Sequence, residues 1–268
     1  MMYKRLFDHA AGLFSLLYAS VIAADILDGG EIRFHGEVTD EGPRWIWQVA
    51  TSDQNWAVNT ADARTLSGQL IFNLSTKGIL PFLEGRLHEV ADQGGPGFSP
   101  LVSFSSQGQS FLLPDGGNTT QGRFKASVPV TNPETGKSVG QLTFMVEQGL
   151  AATFGGQQVS SGGSAIGGIS SSMALLVGDA VNHLPTAGLS QGIMGRLSSL
   201  LLMTPGWERG MSTTFNGQVL PQELLSSSEV TNIAAAYASV LSGFQLTLPA
   251  DDTPAYWQAH LSVTVTVQ

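Results

Sequence analysis

The chain has 268 residues, of which 32 are glycine, 12 are proline and only 12% are charged; its formal charge is −9 and it has no cysteine. The acidic balance argues against nucleic acid, whose binding rests on Lys and Arg neutralising phosphates. A glycine-rich, charge-poor chain fits an exported β-rich surface protein better than a cytosolic helical enzyme, and without cysteine no disulfide braces it.

Residues 1–23 read as a cleavable export signal. Lys4 and Arg5 give a basic start, Ala10 to Ala24 is a nearly unbroken apolar run, and Val21-Ile22-Ala23-Ala24 offers small residues for cleavage after Ala23 or Ala24. A run of about 15 residues falls short of the roughly 20 that a membrane-spanning helix needs. No later stretch is long and apolar enough to span, so the mature protein is expected outside the cytoplasm. Residues 24–40 then form an N-terminal extension. Within it Ile32, Phe34 and Val38, with Gly36 between them, alternate with Glu31, Arg33, His35, Glu37 and Thr39. In a strand this gives one apolar and one wet face. Such an arm can fold back on its own domain or be lent to another molecule.

Residues 41–268 are expected to form one domain. Arg44 to Val49 puts Trp45, Trp47 and Val49 on one face and reads as its first strand. Further strand signals are Leu70–Leu74, Ile79–Val90 (interrupted by Pro81 and Gly85), Leu101–Phe104 and Ser110–Leu113. Phe124/Ala126/Val128/Val130 and Leu142/Phe144/Val146 continue the pattern. Turn signals separate them at Gly94–Gly97, Asp115–Asn118 and Asn132–Gly136. Short alternating strands without intervening helices predict an all-β sandwich of the immunoglobulin kind, not a parallel sheet. Residues 155–225 read as an insertion. Gly- and Ser-rich Gly155–Ser172 opens it, followed by a helical stripe of Met173, Leu176, Val177, Ala180, Val181 and Leu184 and a second helix over Gln191–Met203. For Ile233–Leu241 the alanines favour helix and the β-rich surroundings favour strand. Strand returns at Phe244/Leu246/Leu248.

The chain closes on Leu261, Val263, Val265 and Val267, alternating with Ser262, Thr264, Thr266 and Gln268. In a sandwich of this kind the position beside that strand is expected to stand unoccupied, leaving an apolar edge that invites pairing with another chain. The arm has the length and pattern to fill it, with Gly36 where the groove floor comes closest.

Several short stretches resemble one known family. They are Asp28-Gly29-Gly30-Glu31-Ile32 through Arg44-Trp45-Ile46-Trp47-Gln48-Val49, Thr135-Gly136-Lys137-Ser138-Val139-Gly140, Ala235-Ala236-Tyr237-Ala238, and the terminal strand after Trp257. Together they resemble fimbrial subunits of the bacterial chaperone–usher pathway, in the subclass of large cysteine-free major and minor subunits and adhesins of enterotoxigenic-type enterobacterial fimbriae. The resemblance implies an incomplete sandwich lacking its last strand and polymerisation by donor-strand complementation. It implies Ile32, Phe34, Gly36 and Val38 as the donor strand and Leu261, Val263, Val265 and Val267 as the acceptor edge. Implied partners are neighbouring subunits, a periplasmic chaperone and an outer-membrane usher, with an extracellular fimbria on the cell surface as the destination. Many pilins carry a penultimate aromatic residue for the chaperone; Val267 stands there in this chain.

Two other signals need weighing. Gly188-Leu189-Ser190-Gln191-Gly192 matches the nucleophile-elbow pattern, with Asp251, Asp252 and His260 following in hydrolase order. The preceding His183-Leu184-Pro185-Thr186-Ala187 is not the buried strand that an elbow requires, so no enzyme is expected. The histidines, at 9, 35, 88, 183 and 260, show no paired metal spacing, Asp and Glu do not repeat at calcium-loop spacing, and no cofactor is implied. The alternative to a plain building block is an adhesin binding host glycans on the insertion. Trp207, Glu208 and Arg209 would be its platform, with Phe154 and Phe215 beside them, while the plainer role for Trp207 is packing.

Overall fold

A computed structural model describes residues 45–51, 53–114, 123–155, 171–175, 189–207, 211, 214–215, 225, 228 and 231–267. The signal segment, the arm at 31–39 and the turn at 115–118 lie outside these residues. In chain order the strands are β1 (Trp45–Val49), β2 (Arg64–Leu66), β3 (Gln69–Asn73), β4 (Leu80–Leu87), β5 (Ala91–Gln93), β6 (Pro100–Ser106) and β7 (Gln109–Ser110). They continue as β8 (Arg123–Thr131), β9 (Ser138–Phe154), β10 (Ser171–Leu175), β11 (Thr214–Phe215), β12 (Thr231–Pro249) and β13 (Ser262–Val267), with one helix, α1 (Gln191–Leu202).

The architecture is an all-β sandwich, as the alternating segments predict. Its spine is the antiparallel pairing of β9 with β12, running from Ile233↔Phe154 to Thr247↔Gln141. Strands β4 and β1 add to one flank of β12, β3 and β2 to its far end, and β8 and β10 to β9. The second sheet is small, in the order β13-β6-β7. Between the sheets lie Phe72, Phe82, Phe104, Phe111, Phe144 and Phe244 with Val128, Val146, Leu150 and Tyr237. The aromatic rings interlock, Phe104 on Phe111 at 5.8 Å and Phe111 edge-on to Phe144 at 5.5 Å.

The other face of the spine is lined differently. Ala234, Ala236, Ala238 and Val240 of β12 and Ala151 of β9 point away from the sandwich core, and α1 lies on them through Ile193, Leu197, Leu200 and Leu201. Small side chains let a helix approach a sheet closely. At Gly149 the approach is closest, where an added Cβ would sit 2.5 Å from Leu189.

Two expectations are corrected here, and one that the sequence left open between helix and strand is decided. Ile79–Val90 is not broken at Pro81 and Gly85, because β4 runs through both. Pro81 falls where the β12 register shifts, and a bulge tolerates a residue with no amide hydrogen. The run Ile233–Leu241 is strand throughout, since its alanines serve a sheet face under a helix, and burial outweighs their helical propensity. The helical stripe proposed from Met173 begins as strand instead. Met173, Ala174 and Leu175 pair with Ala152, Ala151 and Leu150 of β9, whose free edge supplies a ladder that local periodicity cannot foresee. The rest of that stripe lies outside the described residues. The helix over Gln191–Met203 is present as α1.

Gly85 is fixed by packing: a Cβ there would lie 2.3 Å from the Trp47 ring, which stacks on Trp45 and meets Tyr237 at 5.7 Å. Gly195, exposed in the middle of α1, faces nothing. We therefore expect Gly85→Ala to destabilise by about 1–3 kcal/mol and Gly195→Ala to stabilise by about 0.5–1 kcal/mol. Denaturant midpoints of the two variants should move in opposite directions.

Candidate functional site: an unpaired strand edge

Strand β13 pairs antiparallel with β6, from Ser262↔Ser105 to Val267↔Pro100. Among the described residues nothing pairs with its other side. Val263, only 9% exposed, and half-buried Leu261 and Val265 turn toward the sandwich core, while Ser262, Thr264 and Thr266 face solvent. Val267 holds the last pair of the ladder. Strand β1 is likewise paired on one side only, with β4. Its Trp45, Trp47 and Val49 are half-buried and Ile46 is 41% exposed.

A side-chain hydrogen bond ties the start of β1 to the segment that leads into β6. The Trp45 indole N–H donates to the Phe98 carbonyl at 3.2 Å. Phe98 stands just before Pro100, the partner of Val267. What the arrangement offers is not a reacting centre but backbone N–H and C=O groups beside an apolar floor, which another strand can satisfy.

The remaining candidates are placed as follows. Ile32, Phe34, Gly36, Val38, Glu208 and Arg209 lie outside the described residues. Trp207 is half-buried and packs with Val90, Met194 and Met211 against the cluster beneath α1. Phe154 is 3% exposed within the sandwich core, so it is no sugar platform beside Trp207. Among the described residues no group of three His, Asp or Glu side chains could hold a metal ion.

Ser190 is a helix cap. Its Oγ accepts from the Ile193 amide at 3.4 Å, its backbone N–H donates to Glu147 Oε1 at 2.7 Å, and its hydroxyl donates to Glu147 Oε2 at 2.8 Å. Arg123 completes the cluster, 3.2 Å from the same carboxylate. A second carboxylate, Glu84, is bonded by Arg196 of α1 and by Gln48 of β1. Glu84 and Glu147 thus tie the helix down on both sides of its alanine floor. The sequence gives no hint of either role, because each carboxylate meets partners that are remote in the chain. The buried polar pair Tyr237 and Gln148, on the core side, is equally hidden. The Tyr237 hydroxyl donates to Gln148 at 2.6 Å, and burial pushes its ionisation far above the ordinary phenol range, so it stays a neutral donor.

A two-sheet all-β domain with a strand paired on one side among its described residues offers an edge at which another strand can add. The family described as fimbrial major and minor subunits, of the K88 type, matches residues 8–268, and the chain belongs to it. It is a structural subunit of a surface fimbria. No curated protein matches it significantly.

Because both hydrogens of Ser190 are engaged by a carboxylate, a fluorophosphonate should leave it unlabelled, as mass spectrometry of the treated protein would show. Ser190→Ala should cost about 0.5–2 kcal/mol of stability through the lost cap.

Proposed function

We propose that the chain is exported, held by a periplasmic chaperone, passed to an outer-membrane usher, and polymerised by donor-strand exchange into a fimbria that contributes to cell adhesion. The observation that carries this reading is the one-sided pairing of β13 above an apolar core. The arm supplies what such an edge lacks: apolar Ile32, Phe34 and Val38 on one face, with Gly36 among them. Each of the three large side chains contributes about 1.5–3 kcal/mol when buried. Each ladder hydrogen bond adds about 0.5–1.5 kcal/mol net.

Family membership implies contact with other fimbrial subunits. The chaperone, in this reading, covers the same edge until a neighbour's arm replaces it. The plainer role for Trp207, packing, is supported by its half-buried place against the cluster that α1 covers.

Deleting Asp25 to Thr39 should leave a subunit that folds with its chaperone and accepts an added arm peptide, yet cannot extend a fibre; incorporation at normal levels would refute the exchange. Val265→Asp should weaken peptide uptake, because it sets an unpaired charge on the apolar floor. Fluorescence anisotropy of a labelled peptide reads both effects.

A further inference from the structure

Resting on the donor-strand reading above, we propose that β1 is where tension in the fibre enters the folded domain, and that Trp47, seated in the notch left by Gly85, keeps the strand from sliding out under load. In that reading a neighbour holds the arm, and the arm continues through the chain into Trp45. A pull on the neighbour is then a pull on Trp45. The next described strand begins only at Arg64, so β1 itself must take the load. Among the described residues its ladder partner is β4 alone, from Trp45↔Leu87 to Val49↔Leu83. Rungs of an antiparallel ladder lie across the strands, so a pull along β1 loads them together rather than one at a time.

Side chains add what so short a ladder lacks. On the core face Leu83, Gly85 and Leu87 alternate along β4, and both leucines are buried. The Trp47 ring lies over Gly85, where an added Cβ would come within 2.3 Å of it, and it meets Tyr237 of β12 at 5.7 Å. Two residues is the least slide that keeps the faces of β1. Such a slide toward the N-terminus would set Trp47 against Leu87 and Val49 against Gly85. The ring would have to leave its notch and displace a closely packed leucine. On the opposite face the Gln48 side chain donates to Glu84 Oε2 at 2.9 Å, and Arg196 of α1 bonds the same carboxylate. Trp45, stacked on Trp47 at 5.0 Å, gives its indole N–H to the Phe98 carbonyl, ahead of β6 and its ladder with β13. Load on β1 thus passes both into the large sheet and toward the edge strand β13.

Because the chain has no cysteine, pulling handles can be attached at Asp40→Cys, ahead of β1, and at Glu134→Cys, in the turn before β9. Ile46 is level with Arg86, Ala236 and Ala151 across the sheet, far from the start of β9 at Ser138. The handles therefore leave from opposite ends of the sheet and pull β1 along its axis. In single-molecule pulling at fixed force, Trp47→Ala should rupture about tenfold faster than the parent chain, since forced unfolding reads the unfolding rate. Gln48→Ala, an exposed change that keeps the test usable should Trp47→Ala fail to fold, should also rupture faster. Val128→Ala, buried on β8, should lower the denaturant midpoint and leave the rupture rate unchanged. Equal weakening by Val128→Ala, or no effect from the β1 variants, overturns the notch. Fibres pulled end to end separate this outcome from failure of the reading beneath it. Where fibres respond to the same variants, both stand; where monomers respond and fibres do not, tension enters elsewhere, and the proposal falls with the donor-strand reading.

Discussion

The antiparallel ladder between Ser138–Phe154 and Thr231–Pro249 is the constraint on which the rest of this molecule depends. Both strands are long, and they carry one lining on each face. Toward the small sheet they present Val146, Leu150, Ile233, Tyr237 and Leu241; toward the helix they present Ala151, Ala234, Ala236 and Ala238. A shift of one residue would exchange the linings, putting alanines into the aromatic core and Tyr237 under α1. A shift of two keeps the faces but not the pairings. It would separate Tyr237 from Gln148 and move Gly149 from beneath Leu189, which an added Cβ would displace. Register is thus held by a few specific contacts within a run of alanines that would otherwise tolerate sliding.

Helix α1 answers that alanine face. Its apolar stripe covers the small residues, and two carboxylates from the sheet fasten it, Glu147 at the N-terminus and Glu84 at Arg196. Both carboxylates are largely buried, and each has a cationic partner together with further hydrogen bonds. Buried charges survive only with such partners. Glu84 also receives Gln48 from β1, so one carboxylate joins the outer helix to edge strand β1.

Strands that obey strict alternation were legible in the sequence. Trp45–Val49 and Ser262–Val267 each show the period of two because one face turns inward and the other is wet. The centre of β12 was not legible, being buried on both faces, so its alternation of small and large apolar residues reads equally as helix. The stripe from Met173 misled for the opposite reason. Its spacing matched a helix, but the free edge of β9 was available to Met173, Ala174 and Leu175. Of the candidate edge, the apolar members Leu261, Val263 and Val265 could be named from sequence. That β13 has, among the described residues, a neighbour on one side only is a matter of topology that no local pattern encodes. The carboxylate anchors of α1 join residues far apart in sequence, and nothing near Glu84 or Glu147 marks them.

An unpaired edge in a cysteine-free domain poses a stability problem that the packing helps to answer. Without disulfides, order must come from buried area and ladders alone, and an edge strand has half its ladder missing. Strand β13 compensates through its single partner and through Val263 and Val265, which pack on the shared core. Phe104, opposite Val263, belongs to a chain of ring contacts reaching Phe82, Phe111, Phe144 and Phe244. The small sheet is thereby secured by its side chains as well as by the β13–β6 ladder. An added strand then meets an edge already in place, so the main ordering cost falls on the incoming segment, at about 1–2 kcal/mol per residue. That division of cost favours an arm with few apolar anchors: it need not build the site, only complete it.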